Sequence, residues 1–425
     1  MRKNNDKKIR LGVFVDGDFI PSFDGAANRF HYLSRSLLWA GVEVVIFHGY
    51  RGWSDLKLIK KEKFKTYIFP IECYYNNLDL IASIIKKEKI DIIQFDNLEP
   101  IILQGINLSH LTKTYLVSEM HYVVRSLARD LGASATRIKT IKKIEETVGE
   151  SIDHLICLSK DDKQFLIKNM NLSKSRISVM PSGVDTEDIK YWGPNFKEKT
   201  IIFLGNLFFE PNLEAVKIIY KYIYPKLKKY NFRFLIVGDC PKKVKARYQS
   251  ANFKFTGTVK NLNQIFRKST FGLAPILSGT GLRIKILNYL AAGIPVIATN
   301  VAVSGLTNKK NIIIEDDFKK YPQIIIDLIN NKDRSIMLSR ISRAMMCKDF
   351  KWKNIAERTK LIYQKILQLP LKNKSSLIGN IPKLKNKEPV WLEEAKKKKR
   401  FTERNKMKER FQYAIIQNNK FRIIK

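Results

Sequence analysis

Arg283 and Lys285 open a helix-period segment, directly after the run Ser278-Gly279-Thr280-Gly281. An apolar stretch, Phe271 to Leu277, leads into that run, so the local reading is a strand, a tight turn and a helix N-terminus. Backbone N–H groups and the positive end of a helix dipole collect phosphate oxygens at such a turn. The two glycines let a ligand come close to the chain. Cationic side chains sit badly at a helix start unless an anion is there, so the pair points to a nucleotide diphosphate. The helix is expected to stop at Ala291-Ala292-Gly293-Ile294-Pro295, with a strand at Val296–Thr299. Taken alone, a glycine-rich strand-to-helix turn is as often a plain connection as a ligand site.

A second candidate is Glu119-Met120-His121, which follows the expected strand Lys113–Ser118. A lone histidine at a strand end is more often a structural hydrogen-bonder than a reacting group. Arg125 and Arg129, on the helix after it, either meet an anionic acceptor or face water. The four cysteines, Cys73, Cys157, Cys240 and Cys347, are far apart and form no metal-ligand pair, so free, buried thiols in a reducing compartment are expected.

These residues need elements to hold them. From Ile9 onward, strand-like runs alternate with helix-period segments, the pattern of an open parallel sheet covered on both faces. Strands are expected at Arg10–Val15, Glu43–His48, Thr66–Pro70, Asp91–Asp96, Lys113–Ser118, His154–Leu158 and Ile177–Met180. A polar stretch, Thr186 to Lys199, breaks the pattern, which restarts with strands at Thr200–Leu204, Arg233–Gly238, Lys254–Thr258 and Asn311–Ile314 and helices at Asn212–Lys229 and Leu262–Lys268. The expected domains are 1–190 and 191–350, a closing helix at 351–369 and a basic tail at 370–425. Within that tail a charged helix is expected over Val390–Gln417, with Val390, Trp391, Leu392, Phe401, Met407 and Phe411 forming a partial apolar stripe.

At 425 residues the chain exceeds one compact core, and a hydrophobic content of 44% excludes a largely disordered protein. The net charge of +38 favours anionic partners without choosing among them. A basic start whose apolar run ends at Asp16, and no later apolar run of membrane-spanning length, lead to the expectation of a soluble, cytoplasmic protein.

Several ordered segments carry a resemblance: GAANRFHYLSRSLLWAGVEV (25–44), HLICLSKDDKQFL (154–166), ISVMPSGVD (177–185), FLGNLFFEPN (203–212), FLIVGD (234–239), FKFTGTV (253–259) and GTGLRIKILNYLAAGIPVIAT (279–299). Over roughly 9–369 the chain resembles a GT-B fold glycosyltransferase of the retaining family-4, or "glycosyl transferases group 1", type. The resemblance implies two Rossmann-like α/β domains, each a doubly wound parallel sheet, facing a cleft, and an enzyme of class EC 2.4. It implies that Gly279, Thr280 and Gly281 bind the donor, that Arg283 and Lys285 stabilise the departing diphosphate, and that His121 contacts the donor sugar. Gly25 then meets the donor phosphates or the acceptor, and Asn206 and Asn288 complete the donor site. Asn206 stands where many relatives carry Arg or Lys, and Asn288 stands where the family has a Glu for the ribose hydroxyls. The loss of that charge-assisted bond is worth about 1–2 kcal/mol. In the turn Pro181-Ser182-Gly183-Val184 the family more often has Asn at 182, and Gly183 is the expected backbone requirement.

The implied chemistry is transfer of a sugar from a nucleotide-diphosphate sugar to a glycan or lipid-linked acceptor, in surface polysaccharide or glycoconjugate synthesis. No protein nucleophile, metal or cofactor is expected. The alternatives are a catalytically silent GT-B scaffold, suggested by Asn288, and a metal role for Asp16-Gly17-Asp18, whose D-x-D spacing binds metal in the other major glycosyltransferase fold. Peripheral contact with an anionic membrane fits the charge. Nucleic-acid binding is not expected, because aromatic platforms do not interleave with the basic tail.

Overall fold

The protein is described by a computed structural model covering residues 8–17, 20, 25–52, 54–130, 132–279, 281–306, 308–379, 381–382 and 413–424. It forms two compact units, Met1–Met180 with Ile355–Lys425, and Pro181–Asn354. The first division falls ten residues before the 190/191 boundary expected from the polar stretch. The reason is local: the Val184 N–H donates to the Phe350 carbonyl at 2.8 Å, and a Cβ on Gly183 would lie 2.6 Å from Trp352 Cδ2. Gly183 is therefore required by the close approach of an indole ring, and residues 181–184 pack with the second unit.

The first unit is built on seven parallel strands: β1 Arg10–Val15, β2 Glu43–Tyr50, β3 Lys65–Pro70, β4 Ile92–Asp96, β5 Tyr115–Met120, β6 His154–Cys157 and β7 Ile177–Val179. Their order is β3-β2-β1-β4-β5-β6-β7, a doubly wound sheet whose strand order reverses between β1 and β4. Burial on both faces explains the near-continuous apolar runs. The core is aromatic: the Phe14 ring stacks on Phe47 at 4.5 Å and on Phe95 at 4.3 Å between centroids.

The second unit carries β8 Thr200–Leu204, β9 Arg233–Val237, β10 Phe253–Gly257, β11 Ser269–Ala274, β12 Val296–Ala298 and β13 Ile313–Ile314. The order is β10-β9-β8-β11-β12-β13, all parallel, and the reversal lies between β8 and β11. Two glycine-bearing turns of this unit, Gly205-Asn206 and Ser278–Gly281, leave the carboxyl ends of those two strands, where open α/β sheets bind ligands. The single helix expected over Asn212–Lys229 is instead Glu210–Ile218, a π-helical turn Ile219–Ile223, and Tyr224–Lys228. Pro225 accounts for the break, because it has no N–H to donate and its ring crowds the preceding turn.

The chain end corrects the tail reading. β14 Tyr413–Gln417 and β15 Lys420–Ile424 form a hairpin, and β14 pairs antiparallel with β3, with Ile415 opposite Tyr67. Asn418 at φ 49° and Asn419 at φ 63° form the two-residue turn. Ala414 and Ile416 are fully buried beneath it. The expected helix over 390–417 therefore does not reach its end; its remainder, with Lys396–Arg400 and the apolar stripe, lies outside the described residues. Of the cysteines Cys157 is buried and Cys347 is exposed, so the four are not uniformly core thiols.

Candidate active site

In the second unit the turn after β11 has both glycines in the left-handed region, Gly279 at φ 95° and Gly281 at φ 82°. A side chain at either position would be strained. Thr280 between them lies outside the described residues. Arg283 is the N-cap of the helix Ile284–Ala292, which ends at Gly293 in the left-handed conformation. The Arg283 guanidinium turns back on the turn itself: Nη1 donates to the Gly281 carbonyl at 2.6 Å, and Nη2 donates to the carbonyls of Gly279 and Ser278 at 2.7 and 3.2 Å. By occupying these carbonyls the cation holds the loop shape that the two glycines permit. This answers the apparent misplacement of an arginine at a helix start, since its charge is spent on carbonyl oxygens and not on the helix N–H groups.

Lys285 is enclosed. Its Nζ donates to Asn212 Oδ1 at 2.6 Å and sits 4.1 Å from the centroid of the Phe203 ring, at the end of β8. Burial and then the neighbouring Arg283 charge hold its ammonium well below the ordinary lysine range. Asn212 also donates from Nδ2 to the Asn206 carbonyl at 2.9 Å, and Asn206 Oδ1 accepts from the Phe208 N–H at 3.0 Å. Asn206 thus shapes its own turn, as Asn side chains do. The packing is tight here: a Cβ on Gly238, whose φ is 132°, would lie 2.3 Å from the Gly205 carbonyl oxygen. Tyr289, buried on the helix, accepts the Leu204 N–H at 2.7 Å and so ties the helix to β8. Asn288 is half-buried one turn beyond Lys285 on the same helix.

In the first unit His121 follows β5 and is buried, with its ring 5.3 Å from that of Phe30. Among the described residues neither ring nitrogen makes a hydrogen bond; the nearest carboxylate is Asp96, with Oδ1 3.6 Å from Nδ1. Burial pushes its pKa down to about 4, against the pull of Glu119. The imidazole is neutral at physiological pH and offers one donor and one acceptor. Glu119 is fully buried and is held by a network: Arg29 Nε and Gln94 Nε2 donate to its two oxygens, and the Tyr363 hydroxyl donates to Gln94 Oε1 at 2.6 Å. Gly25 is exposed as the first residue of the helix Gly25–Trp39 that carries Arg29.

Two family models cover most of the chain. Residues 23–188 match Glycosyltransferase Family 4, and residues 198–331 match Glycosyl transferases group 1. The chain belongs to the GT-B glycosyltransferases. It is 24% identical over 388 residues to a phosphatidylinositol N-acetylglucosaminyltransferase chain of Arabidopsis thaliana, covering 85% of this chain and 83% of that one. It is 26% identical over 305 residues to the UDP-Gal:alpha-D-GlcNAc-diphosphoundecaprenol alpha-1,3-galactosyltransferase of Escherichia coli, covering 62% of this chain and 74% of that one. Among solved structures it is similar to Anabaena Alr3699/HepE in complex with UDP-glucose, with a TM-score of 0.62 and 12% identity over 83% of this chain and 99% of that one.

Within this glycosyltransferase the structure gathers Asn206, Gly279, Gly281, Arg283, Lys285 and Asn288 at neighbouring strand ends of one unit. One expectation needs correction. Arg125 neither faces water nor stands open to an acceptor: it is buried, with Nε 2.8 Å from Glu145 Oε2 and its guanidinium 5.4 Å from the Phe165 ring centroid. Glu145 is held up at about 7 by burial despite that partner. Asp16 is also engaged: Tyr75 donates its hydroxyl to Oδ2, and Arg51 Nη2 lies 3.5 Å from the same atom. Burial raises the Asp16 carboxyl even so, and Asp18 lies outside the described residues. Among the described residues no three His, Cys, Asp or Glu side chains gather closely enough to hold a metal ion. The sequence alone did not reveal Asn212, Arg29 or Gln94, because each meets its partner only through the tertiary fold.

Proposed function

We propose that this glycosyltransferase moves a sugar from a nucleoside diphosphate-sugar to a glycan or lipid-linked saccharide, with retention of anomeric configuration and without a metal, in the synthesis of surface polysaccharide or glycoconjugate. One observation carries the reading: a half-buried lysine ammonium, beside the Phe203 ring and partnered by the neutral Asn212, adjoins a glycine turn braced by Arg283. A partly desolvated cation of this kind is stabilised by an arriving diphosphate, and most where negative charge develops as the glycosidic bond parts. The backbone N–H groups of the turn and the helix start add to the same field.

His121, neutral, serves as a hydrogen-bonding contact to a hydroxyl of the reacting sugar. Asn288 accepts a ribose hydroxyl through its amide oxygen. Uridine diphosphate sugars are the first donors to test, because the HepE structure contains UDP-glucose and the Escherichia coli relative is named for UDP-Gal. A lipid-linked acceptor is favoured by the relatives named for phosphatidylinositol and diphosphoundecaprenol. The test is slow donor hydrolysis across UDP- and GDP-sugars in excess chelator. Nucleotide release from at least one donor supports the reading, and release only after divalent metal is restored contradicts the metal-independent part.

A further inference from the structure

We infer that the glycosyltransferase docks on an anionic lipid bilayer through a surface of its first unit formed by Trp39, the lysines of residues 57–63 and the carboxyl-terminal hairpin. Trp39 ends its helix with 79% of its surface exposed, an unusual position for the largest side chain. The Lys63 ammonium lies 5.4 Å from its ring centroid. Lys60 in turn lies 5.1 Å from the ring centroid of Phe421 on β15, so the segment joins Trp39 to the hairpin. Lys57 and Lys61 extend the same surface and are exposed.

The carboxylates in this stretch are already taken. Glu62 lies 2.8 Å from His31 Nε2 and 3.4 Å from Arg35 Nε. Asp55 caps the short helix Leu56–Ile59 by accepting the Lys57 and Leu58 N–H groups. Among the described residues Lys57, Lys60, Lys61 and Lys63 have no carboxylate within ion-pairing distance. Unpaired ammonium groups around an exposed indole match the headgroup region of a bilayer, where lysine meets lipid phosphate and tryptophan sits between water and acyl chains. Nucleic acid would satisfy the charge but leave the single indole without the series of stacking platforms such binding uses. The surface lies at the amino edge of the first sheet, away from the strand end that carries His121, so the inference goes beyond the lipid-linked acceptor reading and is tested apart from it.

The test is co-sedimentation of the full chain with vesicles of phosphatidylcholine mixed with phosphatidylglycerol, and with phosphatidylcholine alone. The wild type should partition to the mixed vesicles and release at high salt. Lys61→Glu with Lys63→Glu should lower that partition at least about tenfold, and Trp39→Ala about tenfold, with unchanged melting temperature. The control pair Lys242→Glu with Lys243→Glu makes the same charge change on exposed residues of the other unit and should lower it less than about threefold. Failure of the wild type to bind overturns the inference. So does an equal loss in the control pair, which would reduce the effect to net charge, or binding of the same surface to single-stranded RNA with no vesicle partition. UDP-sugar hydrolysis without vesicles is followed in parallel. The surface variants should retain it, and its absence in the wild type would remove the transfer reading while vesicle partition still supports the docking surface.

Discussion

The Lys285 ammonium donates to Asn212 Oδ1 at 2.6 Å, and among the described residues no carboxylate lies within ion-pairing distance of it. A half-buried cation held by a neutral amide costs stability whenever it is protonated, and that cost is recovered only when an anion arrives. Replacing it with an apolar side chain of similar length should therefore stabilise the free protein. Lys285→Met is expected to raise unfolding free energy by about 1 kcal/mol in urea and to weaken donor binding at least about tenfold. A variant that is less stable as well as inactive would argue that Lys285 is structural.

The same residue sets a pH dependence. Its pKa is lowered in the folded, donor-free protein, and a diphosphate favours the ammonium form. Donor affinity should fall as pH rises through that lowered pKa, with proton uptake on binding in that range. Calorimetry in buffers of different ionisation enthalpy reads the proton count, and Lys285→Met should remove it.

Gly238 and Gly257 make a contrasting pair. Both have positive φ, but a Cβ on Gly238 would strike the Gly205 carbonyl oxygen, whereas one on Gly257 meets nothing within 4 Å. Gly257→Ala should cost about 1 kcal/mol from backbone conformation alone. Gly238→Ala should cost at least about 2 kcal/mol and displace the Gly205-Asn206 turn, so donor affinity falls with it. Equal costs in the two variants would contradict the packing described at β8.

Three histidines, His48, His121 and His154, are pushed down to about 4, in each case chiefly by burial. A histidine with a depressed folded pKa is neutral in the native state and protonates more readily when unfolded. Its stabilising contribution is complete above the unfolded pKa of about 6.5 and is lost as pH falls toward 4. Urea denaturation should show stability declining from about pH 6.5 to 4, and His154→Gln, at a position outside the proposed site, should flatten part of that slope. A flat profile would indicate that the three rings are accessible to water.

The parallel strands of both sheets were legible because most are runs of β-branched and aromatic residues buried on two faces. β1 and β8 fall on the residues the pattern marks, and others shift by one to three positions. The turn Ser278–Gly281 was legible from its glycines. What Arg283 does there was not, since its contacts are with backbone carbonyls that any sequence supplies. The Arg29–Glu119–Gln94–Tyr363 network was invisible because its members meet only through the tertiary fold. The hairpin at 413–424 did carry a signal: Tyr413–Gln417 and Lys420–Ile424 flank Asn418-Asn419, a turn pair suited to positive φ. The charged run before it concealed that pattern. Ile416→Ala should cost about 2–4 kcal/mol, because its side chain is fully buried, and should lower amide protection in β3. Loss of protection confined to 413–424 would show that the hairpin does not support that strand.

The most direct test of the account is the turnover and donor affinity of Arg283→Ala combined with Lys285→Ala, measured with whichever nucleoside diphosphate-sugar the wild type hydrolyses. The account predicts that both fall at least about 100-fold, while the circular dichroism spectrum stays that of the folded wild type. Wild-type affinity and turnover in the double variant would contradict it.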